Sequence, residues 1–169
     1  MNSEFILKEL DKNKEVFKNL LKGCQKDLIM FRPEPGKWNL LEIICHLCDE
    51  EREDFRQRVE LTLNSPTEKW PHIDPPAWVS ERKYIEQDFE SKIIEFCKER
   101  EKSVSWLRSL QNHQWDNSYN HPKVGPVSAK LIFVNWLAHD YLHIRQIIKN
   151  KYFYLKSNYN VPLDYAGEW

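Results

Sequence analysis

Residues 128–150 read SAKLIFVNWLAHDYLHIRQIIKN, and the fold turns on this stretch. Ser128 stands where a helix N-cap would, its hydroxyl free to accept from the first turn. Ile132, Trp136, His139, His143 and Gln146 then recur at three- and four-residue spacing, which is the period of one helix face. Neither proline nor glycine interrupts residues 127–161. A proline inside a helix removes an N–H and clashes with the preceding turn, so its absence over this length permits a long helix. The spacing predicts one near 128–150. It is no membrane span: the most apolar part, Leu131 to Ala138, is broken by Asn135 and bounded by Lys130 and Asp140. A bilayer needs ~20 apolar residues.

The same test extends along the chain. The nine prolines cluster in four places, with Gly36, Gly125 and Gly167 near them, and leave proline-free segments 1–32, 37–65, 77–121 and 127–161. Each has helical period. Phe5, Ile6, Leu10, Val16, Phe17, Leu20 and Leu21 carry it in the first, which Gly23 stops. In the second, Asn39 and Glu42 stand three apart as a capping box requires. In the third, Ile85, Phe89, Ile93, Phe96, Val104, Leu107 and Leu110 repeat. Helices are expected near 3–23, 38–64, 81–111 and 128–150, with short or medium joins. The expected fold is all-α, a four-helix bundle in a single domain over residues 1–169. The long join from about Asn64 to Ser80 carries Trp70 and Trp78 and is expected to pack over the bundle. The aromatic tail from Lys156 to Trp169 is expected to pack as well.

Composition supports this. Four glycines in 169 residues and 30% charged residues suit helices better than turn-rich β structure. With 25 Lys and Arg against 26 Asp and Glu, the net charge is −1. That argues against a nucleic-acid binder, which carries a basic excess or stripe. The N-terminus has Glu4 and Lys8 around a three-residue apolar run, unlike a signal peptide. Cys24, Cys45, Cys48 and Cys97 are therefore read as reduced thiols of a cytoplasmic protein. Cys45 and Cys48 form a C-x-x-C, but no second pair exists for a zinc knuckle and the pair is mid-helix. Both are read as core residues. The charge-dense runs Asp49–Arg58 and Glu81–Lys102 mix signs at i, i+4 and are read for the most part as solvated faces.

His139 and His143 carry the chemistry. Residues i and i+4 of a helix lie about 40° apart around its axis, so both imidazoles can reach one cation. The zinc motif HExxH uses this spacing, but Asp140 stands where its Glu would be and is one methylene shorter. Two readings stand: a ligand pair, or two histidines that fall four apart by chance. Of the others, His72, His113 and His121 lie in joins and are read as surface residues. His46 lies inside the second helix, between Ile43 and the acidic stripe Glu42, Asp49 and Glu53. Such a histidine is more often a hydrogen-bonded core residue than a ligand; a partner pair on another helix raises the ligand reading. Asp49 or Glu50 could orient it.

Three stretches carry a resemblance: Pro35-Gly36-Lys37-Trp38-Asn39-Leu40-Leu41-Glu42-Ile43, then His46-Leu47-Cys48-Asp49-Glu50-Glu51, then Asn135 to Ile147 with both histidines. The ending Pro162 to Trp169 adds to it. In their order and spacing the chain resembles the DinB-like (DinB/YfiT-like) superfamily of metal-dependent enzymes over nearly its whole length. The resemblance implies a four-helix bundle with an unusual helix connectivity and one divalent metal held by His46, His139 and His143. It also implies a homodimer. Characterised relatives include transferases and isomerases that use low-molecular-weight thiols.

A metal with three neutral imidazole ligands keeps its charge and an open position. It can lower the pKa of a water for hydrolysis or of a thiol for attack on an electrophile. Zinc and nickel both suit imidazole. Three functions compete: transfer of a small thiol to an electrophilic small molecule, metal-dependent hydrolysis, and a non-catalytic metal-binding bundle. The first is the expectation, with Trp136, Tyr141 and Arg145 as candidates to line the pocket. Core packing is the stronger expectation for Trp136 and Tyr141.

Overall fold

Helical segments carry most of the computed structural model, which describes residues 3–110 and 113–168. In order they are α1 (Ser3–Leu21), the one-turn α2 (Lys26–Met30), α3 (Leu40–Glu50), α4 (Gln57–Asn64), α5 (Pro75–Glu81), α6 (Phe89–Ser109) and α7 (Ala129–Asn158). A π-helical turn, Glu51–Arg56, joins α3 to α4 without a break, so residues 40–64 form one long helix. With α1, α6 and α7 this makes the expected four-helix bundle. A two-stranded antiparallel hairpin, β1 (Ser118–His121) and β2 (Gly125–Ser128), precedes α7.

The helix starts are chemical. Asn39 accepts from Glu42 N at 2.9 Å and Glu42 accepts from Asn39 N at 3.0 Å, the full capping box. Ser128 accepts from Leu131 N at 3.1 Å. Two ends differ from expectation. The third helix begins at Phe89, not near 81, because Asp88 caps it and Lys83 at φ 49° breaks the chain before it. Residue 111, its expected end, lies outside the described residues. The fourth runs to Asn158, not 150, since nothing stops it before Pro162. The hairpin was not anticipated either; its four-residue strands are too short to show a period.

Two apolar clusters show how the helices run. One joins the first half of α1 to α4, the second half of α6 and the first half of α7. The other joins the second half of α1 to α3, the first half of α6 and Ile147 of α7. So α1 and α7 run parallel to each other, and the 40–64 helix and α6 run parallel to each other in the opposite sense. α1 packs on α6 and α7, and the 40–64 helix packs on the same two. The first and second long helices therefore face each other across a diagonal, as do the third and fourth. In an up-down-up-down bundle consecutive helices are neighbours. Here the joins holding α2 and the hairpin cross the diagonals, and the 65–88 join returns the chain the length of the bundle. Trp70 and Trp78 of that join are buried, as expected. The tail is not: Tyr159, Val161 and Tyr165 are exposed, and Trp169 lies outside the described residues.

Between the clusters lies a polar layer with one residue from each long helix. Arg100 of α6 is 1% exposed and spends all five N–H groups. Two go to Glu51 at 2.9 Å, two to Asp140 at 2.7 Å and one to Leu10 O at 3.0 Å. Asn13 Nδ2 donates to Asp140 and Trp136 Nε1 to Glu51, each at 3.0 Å. The charge-dense runs are thus not merely solvated faces. Asp49, Glu50, Glu51 and Asp54 of the first and Glu99 and Arg100 of the second are buried. For Glu51 and Arg100 local sequence hides this, because their partners come from other helices.

Candidate metal centre

The polar layer sets the height of the histidines. Asp140, locked onto Arg100, fixes the turn of α7 that carries His139 and His143. Glu51, on the same guanidinium, fixes the helix that carries His46. Asp140 is thereby spent on structure, which removes it as a counterpart of the glutamate in HExxH. Antiparallel packing of the 40–64 helix against α7 then brings the three imidazoles together. His139 Nε2 lies 3.0 Å from His143 Nε2 and 3.4 Å from His46 Nε2. One ligand atom from each lies within 4.8 Å of the other two, and the group could hold a metal ion.

The fit is physical. Tetrahedral ligands about 2.05 Å from zinc stand about 3.3 Å apart, close to these separations. Burial pushes His46 down to about 3, His139 to about 2 and His143 to about 4, and the neighbouring imidazoles add to it at His46 and His139. All three are neutral at pH 7, the form that ligates. With the proton of each neutral imidazole on Nδ1, the three Nε2 lone pairs face one another. A cation there would turn that conflict into bonds.

Aromatic rings wall the centre. Trp38 lies 4.7 Å from the His46 ring and Phe55 lies 4.9 Å from the His139 ring, centroid to centroid. Phe55 is also stacked on Trp136 at 5.6 Å. Of the two acids suggested for His46, Asp49 is engaged with Tyr84, Arg52 and Arg82. Glu50 Oε1 faces His46 Nδ1 at 3.9 Å, and both atoms are buried without a hydrogen-bond partner among the described residues. Burial and the adjacent Asp54 carboxyl hold Glu50 well above the usual carboxylate range. A ligating histidine usually donates its other N–H to an oxygen; Glu50 is the acid nearest His46 Nδ1, at a distance longer than a hydrogen bond.

The pocket candidates divide. Arg145 lines an open cleft of 770 Å³ beside His143. Trp136 is core, as expected, at 1% exposed. Tyr141 is not core: it is exposed, with its hydroxyl 3.3 Å from Glu9 on α1. His72 is exposed, whereas His121 sits on β1, half-buried near Trp70. Trp38, Phe55 and Arg100 were not singled out from sequence. Trp38 stood inside a motif already noticed; for Arg100 no local signal existed.

Known proteins share the fold. The fold matches the structure described as "YfiT from Bacillus subtilis is a probable metal-dependent hydrolase with an unusual four-helix bundle topology". The TM-score is 0.78 at 17% identity, over 88% of this chain and 85% of that one. Among curated proteins none matches. No described helix is long and apolar enough to cross a membrane. Residues 9–147, which contain His46, His139 and His143, match the DinB superfamily, and the chain belongs to that superfamily.

Proposed function

We propose that the chain is a metal-dependent enzyme in which His46, His139 and His143 hold one divalent ion, zinc or nickel, and a low-molecular-weight thiol is transferred to a small electrophile. The observation that carries this reading is the convergence of three neutral imidazoles, two buried and His139 half-buried. A divalent ion among neutral ligands keeps its charge and so favours the thiolate over the thiol. The thiol proton leaves to solvent, sulfur bonds to the electrophilic carbon, and the leaving group departs with its electron pair. The protein's part is positional. Trp38 and Phe55 hold the imidazoles in place and limit water, and Glu50 faces His46 Nδ1.

A second reading, hydrolysis at the same ion, is favoured by the description of YfiT as a probable metal-dependent hydrolase. Purified protein loaded with zinc or nickel, given a model electrophile with and without glutathione, bacillithiol, mycothiol or coenzyme A, separates the two. Conjugation that requires both metal and thiol supports transfer. Thiol-independent ester or amide cleavage replaces it with hydrolysis, and neither activity with any thiol rejects both. We further propose a cytoplasmic homodimer. Leu131, Val134, Tyr141, Ile148 and Leu155 are exposed along α7 and offer it an apolar surface. Sedimentation at micromolar concentration tests the dimer.

A further inference from the structure

The cleft beside His143 lies between the 33–37 loop and the α7 face that follows the second histidine. Its volume, 770 Å³, is that of a site for a small organic molecule. Lys37, Arg145 and Lys149 line it, and no carboxylate is among its described lining residues. The protein does not usually leave such charge unanswered. Of its eight arginines, seven hold a carboxylate: Arg32, Arg52, Arg56, Arg58, Arg82, Arg100 and Arg108. Arg145 alone has no acidic partner among the described residues. Lys149 Nζ instead rests 5.5 Å from the Phe153 ring centroid. The wall is stiff where it must be, since Asn150 Nδ2 donates to Trp38 O at 2.9 Å and ties α7 to the loop's end.

We infer that this cleft binds a small organic anion through Arg145 and Lys149, with Lys37 closing from the loop, and so selects substrates that carry a carboxylate or phosphate. A guanidinium presents paired N–H donors that match either oxyanion, and ammonium groups add charge without directional demand. Phe153, Leu142 and Pro33 supply apolar contact for the carbon skeleton. His143 opens onto the same cleft, so an anion held there has its remainder directed at the histidine cluster. As a statement about substrate class this rests on the proposed metal-dependent reaction; anion binding itself does not.

The experiment therefore omits turnover. Backbone amide NMR of the full chain, metal-free and then zinc-loaded, is followed while succinate, inorganic phosphate or the neutral 1,4-butanediol is added. Succinate and phosphate should shift amides in residues 33–37 and 142–153 in both forms, and butanediol should not. The stronger of the two anions identifies the headgroup. Arg145→Gln with Lys149→Gln should weaken binding by about tenfold or more, and raising salt well above physiological strength should weaken it in the unaltered chain. Both side chains are at least partly exposed, so the variant should keep its helical circular dichroism. The salt series tests the cleft even if it does not. Anion shifts no larger than those of butanediol, or shifts indifferent to both salt and the double substitution, overturn the inference. Anion binding without any turnover sinks the proposed reaction and leaves the cleft standing. Turnover of neutral substrates without anion binding does the reverse.

Discussion

Replacing Arg100 with methionine should cost more than any other single change in the bundle. The substitution keeps the length and apolar contact of the stem but removes five hydrogen bonds. It strands Glu51 and Asp140, 2% and 0% exposed, with no cation beside them. Removing one partner of a buried ion pair costs about 3–5 kcal/mol, mostly because the remaining charge is left without compensation. Here two charges remain, so the expected loss is at or above the upper end of that range. Total stability of a domain is about 5–15 kcal/mol. Urea denaturation followed by circular dichroism measures it. With a slope of about 2 kcal/mol/M, the midpoint should fall by about 2 M or more. The decisive comparison adds Glu51→Gln and Asp140→Asn to Arg100→Met. These neutral amides still accept from Trp136 and Asn13, so the triple variant should regain about 2 kcal/mol or more. A loss below about 1 kcal/mol in the single variant, or a triple variant no more stable than the single, would refute the stranded-charge argument.

Three further outcomes are expected. Metal analysis of the unaltered chain should give about one ion per protomer, and the variant with His46, His139 and His143 all changed to alanine should give none; equal stoichiometry excludes these ligands. The metal-free fold should weaken on acidification. The native imidazoles stay neutral down to about 4, while unfolded histidine takes a proton near 6.5. Stability is therefore complete above 6.5 and falls below it by about 1.4 kcal/mol per pH unit per histidine until the native pKa is reached. Urea midpoints at pH 7 and 5 should drop more in the unaltered chain than in the triple alanine variant, and equal drops would rule out neutral burial. Lastly, Cys45 is buried and its thiol is pushed up to about 12 by that burial, and Cys48 is also raised. Iodoacetamide should label neither in the native state but all four cysteines in urea; native labelling at Cys45 or Cys48 would contradict the packing.

The readable part of this sequence was the part governed by local chemistry. Asn39, Glu42 and Ser128 marked helix starts because a cap is satisfied within three residues, and the prolines marked the joins because their effect is on their own backbone. His139 and His143 were placed on one face by helix geometry alone. What was not readable depends on distant partners. Arg100 lies in a run of mixed charge that has the pattern of a solvated helix, and its two acids stand 49 and 40 positions away. Nothing nearby distinguishes it from Lys98 or Lys102. His46 shows the same limit from the other side: its own helix left it as a core histidine or a ligand, and only the approach of α7 brings it to the pair. That approach is set by the Arg100 layer, whose members on the two histidine-bearing helices, Glu51 and Asp140, are each within five residues of a histidine. The buried charge and the candidate metal centre are therefore one construction. The salt bridge adds little net stability over an apolar core of equal volume, but it specifies the vertical register between the 40–64 helix and α7. A one-turn slip there, about 5.4 Å, would part the imidazoles. The triple variant Arg100→Met, Glu51→Gln, Asp140→Asn separates these roles, since it should fold while holding metal more weakly than the unaltered chain. Unchanged affinity in a stably folded triple variant would show that the layer does not set the register.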